Sequence, residues 1–280
     1  MRRLQLACVL MGGWTACAFA DVVVTFDEGG QGWSIAGCTT IDPAGGNPGA
    51  NLHCRVQSFA SVGAGITADS PFTGDLTRHG AQITWSIDLK VNELLENGQP
   101  APRFFSVELF SHRPERDVPW ASIRHVFGSI AHPFDTPSWT RKTITVVIPS
   151  DDSLPTGWIG VGDFDEWRQP RLPPGWTASD IFRDVDHCSF STQGPWPLPP
   201  NRLIVCDLQI DNIRISGSNR PGCPPCIADH NRDGGVDGAD VQAFFLDWEA
   251  SLTCADSNED GGVDAMDVAT FFAEWQAGDC

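Results

Sequence analysis

The chain has 280 residues and a formal net charge of −18, from 36 Asp and Glu against 18 Lys and Arg. That balance offers no basic patch to neutralise phosphates and argues against a nucleic-acid partner. With 41% hydrophobic residues it can build one substantial domain and a small one, and no apolar run is long enough to span a membrane.

The N-terminus reads as an export signal. Met1-Arg2-Arg3 precedes an apolar stretch from Leu4, and Ala18-Phe19-Ala20 stands before Asp21. This charged, apolar and small-residue order predicts a signal peptide over 1–20 and a secreted, extracellular product, free or attached to a cell surface. A lipoprotein reading through Cys17 meets Trp14 where Leu is preferred. Removal of the signal takes Cys8 and Cys17 with it and leaves eight cysteines. In an exported chain these predict disulfides. Cys38 with Cys54 and Cys188 with Cys206 bracket two loops and are expected to pair locally. Cys223, Cys226, Cys254 and Cys280 can pair in three ways.

Strand patterns follow. Residues 22–26 predict a short strand. In 81–92, Ile83, Trp85, Ile87, Leu89 and Val91 alternate with polar residues, which predicts one buried and one wet face. The same period runs through Phe105, Val107 and Leu109, through Ile144, Val146 and Ile148, and through Ile204, Cys206, Leu208 and Ile210. Gly- and Pro-rich turns separate these runs, and the one helix-like stretch is 179–185. Many short strands with little helix predict a mainly β domain over 21–216, an antiparallel β-sandwich. Four stretches narrow this: 45–52 (Gly-Gly-Asn-Pro-Gly-Ala-Asn-Leu), 68–75, 80–89 and Asp211-Asn-Ile-Arg-Ile215. Together they resemble a laminin-B-type (domain IV) module, which implies a jelly roll akin to galactose-binding-like domains.

Three groups in this region invite a functional reading. Trp120, Trp139, Trp158, Trp167, Trp176 and Trp196 lie in its loop-rich part, where an exposed indole could stack on sugar rings. For any single one, a core position is the more frequent fate. Asp163, Asp165 and Glu166 form the best acidic cluster for a glycosidase pair, although a solvated loop explains it more simply. Asp27, Glu28 and Asp211 could clamp a structural cation. His187 beside Cys188 suggests a dyad, but a disulfide is more economical. No nucleophile elbow, zinc-protease helix or phosphate loop occurs, so no catalytic residue is assigned.

After a linker over 217–225, the region 226–280 carries a duplication. Asp229–Trp248 and Asp256–Trp275 are identical at twelve of twenty positions with a shift of 27 residues. Each copy has oxygen side chains at loop positions 1, 3, 5, 9 and 12 and Gly at 6, the pattern that a hard cation such as Ca2+ requires. The first set is Asp229, Asn231, Asp233, the Gly235 carbonyl, Asp237 (directly or through water) and Asp240. The second is Asp256, Asn258, Asp260, the Gly262 carbonyl, Asp264 and Asp267. Val241, Phe244, Phe245 and Trp248, like Val268, Phe271, Phe272 and Trp275, fall on one stripe of a following helix.

No amphipathic segment precedes either loop, so each unit is half of an EF-hand. The tandem resembles a dockerin domain. That resemblance implies a small α-helical, calcium-folded module that plugs into a cohesin-like or cell-surface protein. Positions 10 and 11 (Gly238-Ala239 and Ala265-Met266) depart from the Ser/Thr-type pairs often used for cohesin recognition. The expectation for the whole chain is a secreted, non-catalytic protein whose sandwich takes an extracellular glycan or matrix component. A dockerin-borne polysaccharide hydrolase and a purely structural adhesion protein are the alternatives.

Overall fold

The structure is a computed structural model that describes residues 22–33, 40–58, 61–67, 69–130, 138–149, 151–194, 203–218, 223–224 and 226–278. They form two compact units. One comprises Val22–Arg78 with Thr84–Ile215, and the other His79–Ile83 with the chain from Ser216 onward. The expected signal peptide, Cys38, Cys280 and Trp196 lie outside the described residues.

Fourteen strands are described. They are β1 (Val22–Val24), β2 (Thr40–Asp42), β3 (Asn51–Ser58), β4 (Gly63–Ile66), β5 (Gln82–Glu96), β6 (Gln99–Pro100) and β7 (Arg103–His112). Next come β8 (Trp120–Ile130), β9 (Thr140–Val147), β10 (Trp158–Val161), β11 (Asp163–Phe164) and β12 (Pro170–Arg171). The short helix α1 (Ala178–Phe182) precedes β13 (His187–Ser191) and β14 (Ile204–Ser218). The chain is therefore mainly β. A seven-stranded sheet runs β2-β3-β14-β5-β6, with β1 on β14 and β9 on β5; a five-stranded sheet runs β10-β8-β7-β13-β4. All the registered strand pairs are antiparallel.

Alternation dictates the core. Trp85, Ile87, Leu89 and Val91 of β5 and Leu208, Ile210 and Ile213 of β14 are buried from the large sheet. Phe105, Val107, Leu109, Ile123 and Phe190 are buried from the small one. The two faces meet where Trp85 lies 5.8 Å from Trp158, ring centroid to centroid, and Trp158 in turn touches Phe182 of α1. The helix is short because Thr177 caps it with Asp180 in a reciprocal box and it ends at Arg183. It spans Ala178–Phe182 rather than reaching residue 185.

Several expectations are corrected. The first strand stops at Val24, and Phe26 turns into the core with φ of 61°. Ile148 falls beyond β9. The polar face of β5 is not uniformly wet: Gln82, Ser86 and Asp88 are buried. Asp88 shows why, since it accepts from Asn47 Nδ2, Asn212 Nδ2 and Arg141 Nε, three groups that cover it. Finally, Cys188 and Cys206 are free thiols, both buried. Cys188 sits on β13 of one sheet and Cys206 on β14 of the other. Sheets packed face to face stand about 10 Å apart, whereas a disulfide needs Cα atoms within about 7 Å. Bracketing a loop in sequence did not bring them together. Burial raises both thiols, Cys206 to about 12.

The second unit contains α2 (Gly238–Glu249) and α3 (Ala265–Ala277). Phe244 and Phe271 stack at 4.1 Å and 6° in its centre, fully buried with Ala255. Cys223 and Cys254 are bridged, which selects one link from the three ways of pairing. Cys226 of this unit and, separately, Cys54 of the sandwich each take part in a disulfide as well.

Candidate functional site

The twin loops fold by one local programme. Asp229 accepts the Asp233 and Gly234 N–H groups, and Asn231 and Asp233 accept those of Asp233 and Gly235. Asp240 reaches back from the first turn of α2 to the N–H groups of Asn231 and Asp237, at 3.0 and 2.9 Å. In the second loop Asp256, Asn258, Asp260 and Asp267 repeat every one of these bonds 27 residues later. Gly234 and Gly261 take φ of 87° and 90°, the left-handed turn for which the glycine at position 6 was read. Asp237 and Asp264 are the N-caps of the two helices.

The copies also lock each other. Trp248 Nε1 donates to the Asp264 carbonyl at 3.0 Å, and Trp275 Nε1 to the Asp237 carbonyl at 2.8 Å. Each helix thus pins the start of the other. Position 2 breaks the symmetry. His230 is buried edge-on to both Phe rings and bonds Asp247 at 2.9 Å, while its counterpart is Ser257.

Asp240 and Asp267 are completely buried carboxylates. Burial raises Asp256 above the ordinary carboxylate range, the N–H of Gly261 opposes this, and the charges of Asp267 and Asp260 add to it. Among the described residues, no group of three or more His, Cys, Asp or Glu is already gathered as a metal cluster. The carboxylates lie on backbone N–H groups instead. The donor chemistry nonetheless fits a hard cation: positions 1, 3, 5, 9 and 12 each carry an oxygen-bearing side chain, and the repulsion that Asp267 and Asp260 exert on Asp256 is of the kind that a divalent ion relieves.

In the sandwich, the outward face of the five-stranded sheet assembles polar and aromatic groups that no contiguous motif announced. Register sets Glu108 opposite Arg124 on one side and Ser189 on the other, and Ser189 opposite Gly65. Arg124 holds Glu108 through Nε and Nη2 at 3.3 and 3.0 Å and donates Nη1 to the Gly194 carbonyl at 2.8 Å. Ser122 Oγ donates to the other Glu108 oxygen. The neighbouring His187 is kept below its ordinary pKa by burial, against the pull of Glu108. Phe110 and Trp120 stack beside this group at 5.8 Å and 15°, and Trp120 remains 40% exposed. The signal in the sequence was the out-of-phase set of β7 and β8, which the search for inward residues passes over.

The tryptophans divide. Trp158 and Trp176 are buried, Trp120 and Trp167 exposed, and Trp139 lies between. Asp163, Asp165 and Glu166 form the hairpin of β11 and β12. Asp163 is held low by the Phe164 N–H and by Arg171, and Asp165 accepts the N–H groups of Trp167 and Gln169 as a turn residue. That is the chemistry of a turn and an ion pair. Asp27 and Asp211 do come near each other across residues 46–50. Asp27 accepts the Ala50 N–H at 2.8 Å, and Asp211 those of Asn47 and Asn212 at 2.6 and 2.7 Å. Glu28 stays exposed.

No family model matches the chain, and no curated protein does. Solved structures offer distant likenesses. One is the CBM22-1–GH10 part of endo-1,4-β-D-xylanase 10B from Clostridium thermocellum, complexed with xylohexaose. It is 14% identical over 74% of this chain and 30% of that one, with a TM-score of 0.40. A tandem CBM22 domain of Xyn10C from Paenibacillus barcinonensis gives 11%, 70%, 50% and 0.41 in the same order. The family 30 carbohydrate-binding module of a cellulosomal cellulase from Clostridium thermocellum gives 14%, 72%, 93% and 0.38. The chain thus spans half or less of the first two. Likeness at this level carries no argument about ligand or activity, and the fold rests on the sheets themselves.

Proposed function

We propose that this is an exported, non-catalytic protein in which the β-sandwich binds a glycan and the C-terminal unit is a calcium-folded docking module. The observation that carries the reading is the duplicated loop and helix. Twelve-residue loops with the same oxygen donors, the same hydrogen bonds and reciprocal Trp locks are hard to explain as two solvated turns. Asp229, Asn231, Asp233, Asp237, Asp240 and the Gly235 carbonyl would hold one Ca2+. Asp256, Asn258, Asp260, Asp264, Asp267 and the Gly262 carbonyl would hold the other. The ion supplies charge neutralisation. The chain supplies the rest: buried Asp240 and Asp267 tie each loop to its helix, and the Phe244–Phe271 stack joins the halves.

The Cys223–Cys254 bridge agrees with an oxidising compartment and so with the export signal read in 1–20. A cohesin-like or cell-surface protein is the partner class that the dockerin resemblance implies. The non-catalytic reading is favoured by the hydrogen-bonded state of Asp163 and Asp165. Calorimetric titration of the disulfide-intact protein with Ca2+, alongside circular dichroism in EDTA, tests the docking half. Two binding events and chelator-sensitive helicity are expected. Absence of binding together with helicity unchanged in EDTA would sink it.

A further inference from the structure

We infer that the outward face of the five-stranded sheet is the glycan-binding face, and that it takes a neutral oligosaccharide stacked on Trp120 and hydrogen-bonded to the Glu108–Arg124 pair. This rests on the glycan reading above and adds the place and the ligand class.

A sugar ring presents C–H groups on its faces and hydroxyls around its edge, so its site needs a flat apolar platform beside fixed donors and acceptors. Trp120 supplies the platform. Phe110 backs the indole, which fixes its orientation and leaves it part-exposed. Glu108 and Arg124 supply the polar edge, with side-chain exposures of 16% and 11%. Both are held by second partners, Ser122 and the Gly194 carbonyl, so neither has to reorganise on binding. Ser189 continues the row past Glu108 with little side-chain bulk, and the His187 imidazole, lying over Gly65, closes it there; the span across β8, β7 and β13 is about 10 Å, enough for more than a single ring.

The charge state selects the class. All three nitrogens of Arg124 are already engaged, two on Glu108 and one on a carbonyl. The pair is neutral as a unit, and burial disfavours a positive His187 beside it. A uronate would meet Glu108 without an uncommitted cation, and an amino sugar would meet Arg124. Hydroxyls can use the lone pairs and N–H groups that the pair leaves over. The other exposed indole among the described residues, Trp167 at 75%, stands on a hairpin whose Asp163 and Asp165 are consumed by Arg171 and the turn.

The test is affinity electrophoresis and calorimetry of the disulfide-intact protein, with Ca2+ present. The neutral probes are xylan, mixed-linkage β-glucan and galactomannan, and the charged ones alginate and polygalacturonate. At least one neutral polymer should be bound and neither charged one. Trp120→Ala should weaken binding about tenfold or more, Ser189→Trp should abolish it, and Trp167→Ala should leave it unchanged. Because Trp120 is an exposed side chain, its variant serves even where Ser189→Trp fails to fold. Binding that survives Trp120→Ala, or is lost in Trp167→Ala alone, overturns the assignment of the face while the glycan reading stands. Binding of charged polymers only overturns the ligand class. No binding to any probe overturns both this inference and the glycan half of the proposed function.

Discussion

Asp211 is the residue whose titration should be visible in the stability of the sandwich. It lies on β14, has no solvent exposure, and is pushed up to about 6 from 3.8. Burial is the largest cause; the N–H groups of Asn47 and Asn212 oppose it, and the charges of Asp88 and Asp27 add to it. A folded pKa above the unfolded one means that the native state binds more protons between about pH 4 and 6. The stabilising contribution is therefore complete below the unfolded value and is lost as pH rises through about 6. A shift of about two units corresponds to about 3 kcal/mol. His125 and His187, both lowered by burial, act with the opposite sign: their contribution is present above the unfolded value of 6.5 and is lost as pH falls from there through their lowered folded values. The raw pH profile mixes these effects, so a difference is needed. Asp211→Asn keeps the size and cannot ionise. Urea unfolding of both proteins in EDTA, at pH 4 and 7.5, isolates the group. Relative to the variant, the wild type should gain about 2–3 kcal/mol on going to pH 4. A difference that stays constant, or one that favours the wild type at pH 7.5, would refute the assignment of a destabilised carboxylate.

Three further outcomes are expected. Phe271→Ala removes half of the 4.1 Å stack in a unit with few buried apolar residues. A loss of about 3–5 kcal/mol should melt α2 and α3, and helical circular dichroism that persists would contradict the importance given to the stack. Cys188 and Cys206, buried with raised pKa, should resist iodoacetamide in the native protein and both be alkylated in guanidine without reductant; a Cys188–Cys206 bridged peptide in the digest would disprove the free thiols. Gly63→Ala should destabilise the sandwich by about 1–3 kcal/mol, because its Cβ would overlap the Phe190 carbonyl and the Ser191 backbone on β13. An unchanged urea midpoint would show that β4 and β13 are less closely apposed.

The loops and their helices were legible in the sequence because everything that shapes them is local. Position 1 bonds positions 5 and 6, position 12 returns to positions 3 and 9, and the apolar stripe repeats within a helix turn. The core face of β5 was equally plain, since strict alternation needs only neighbouring residues. What escaped was whatever depended on which strand lies beside which. β14, the last of the described strands, is placed between β3 and β5, and that placement brings Asp211 and Asn212 to Asn47 and Asp88. Cys188 and Cys206 look like partners 18 positions apart, yet they were sent to opposite sheets. Glu108, Arg124 and Ser189 come from three strands and share one face only through register. The sequence by itself determined the hydrophobic faces, the turns and the twin oxygen-rich loops, because short-range spacing specifies them. Only the tertiary structure decided which polar side chains meet and which cysteines do not, because antiparallel pairing joins residues more than a hundred positions apart and no local pattern encodes that choice.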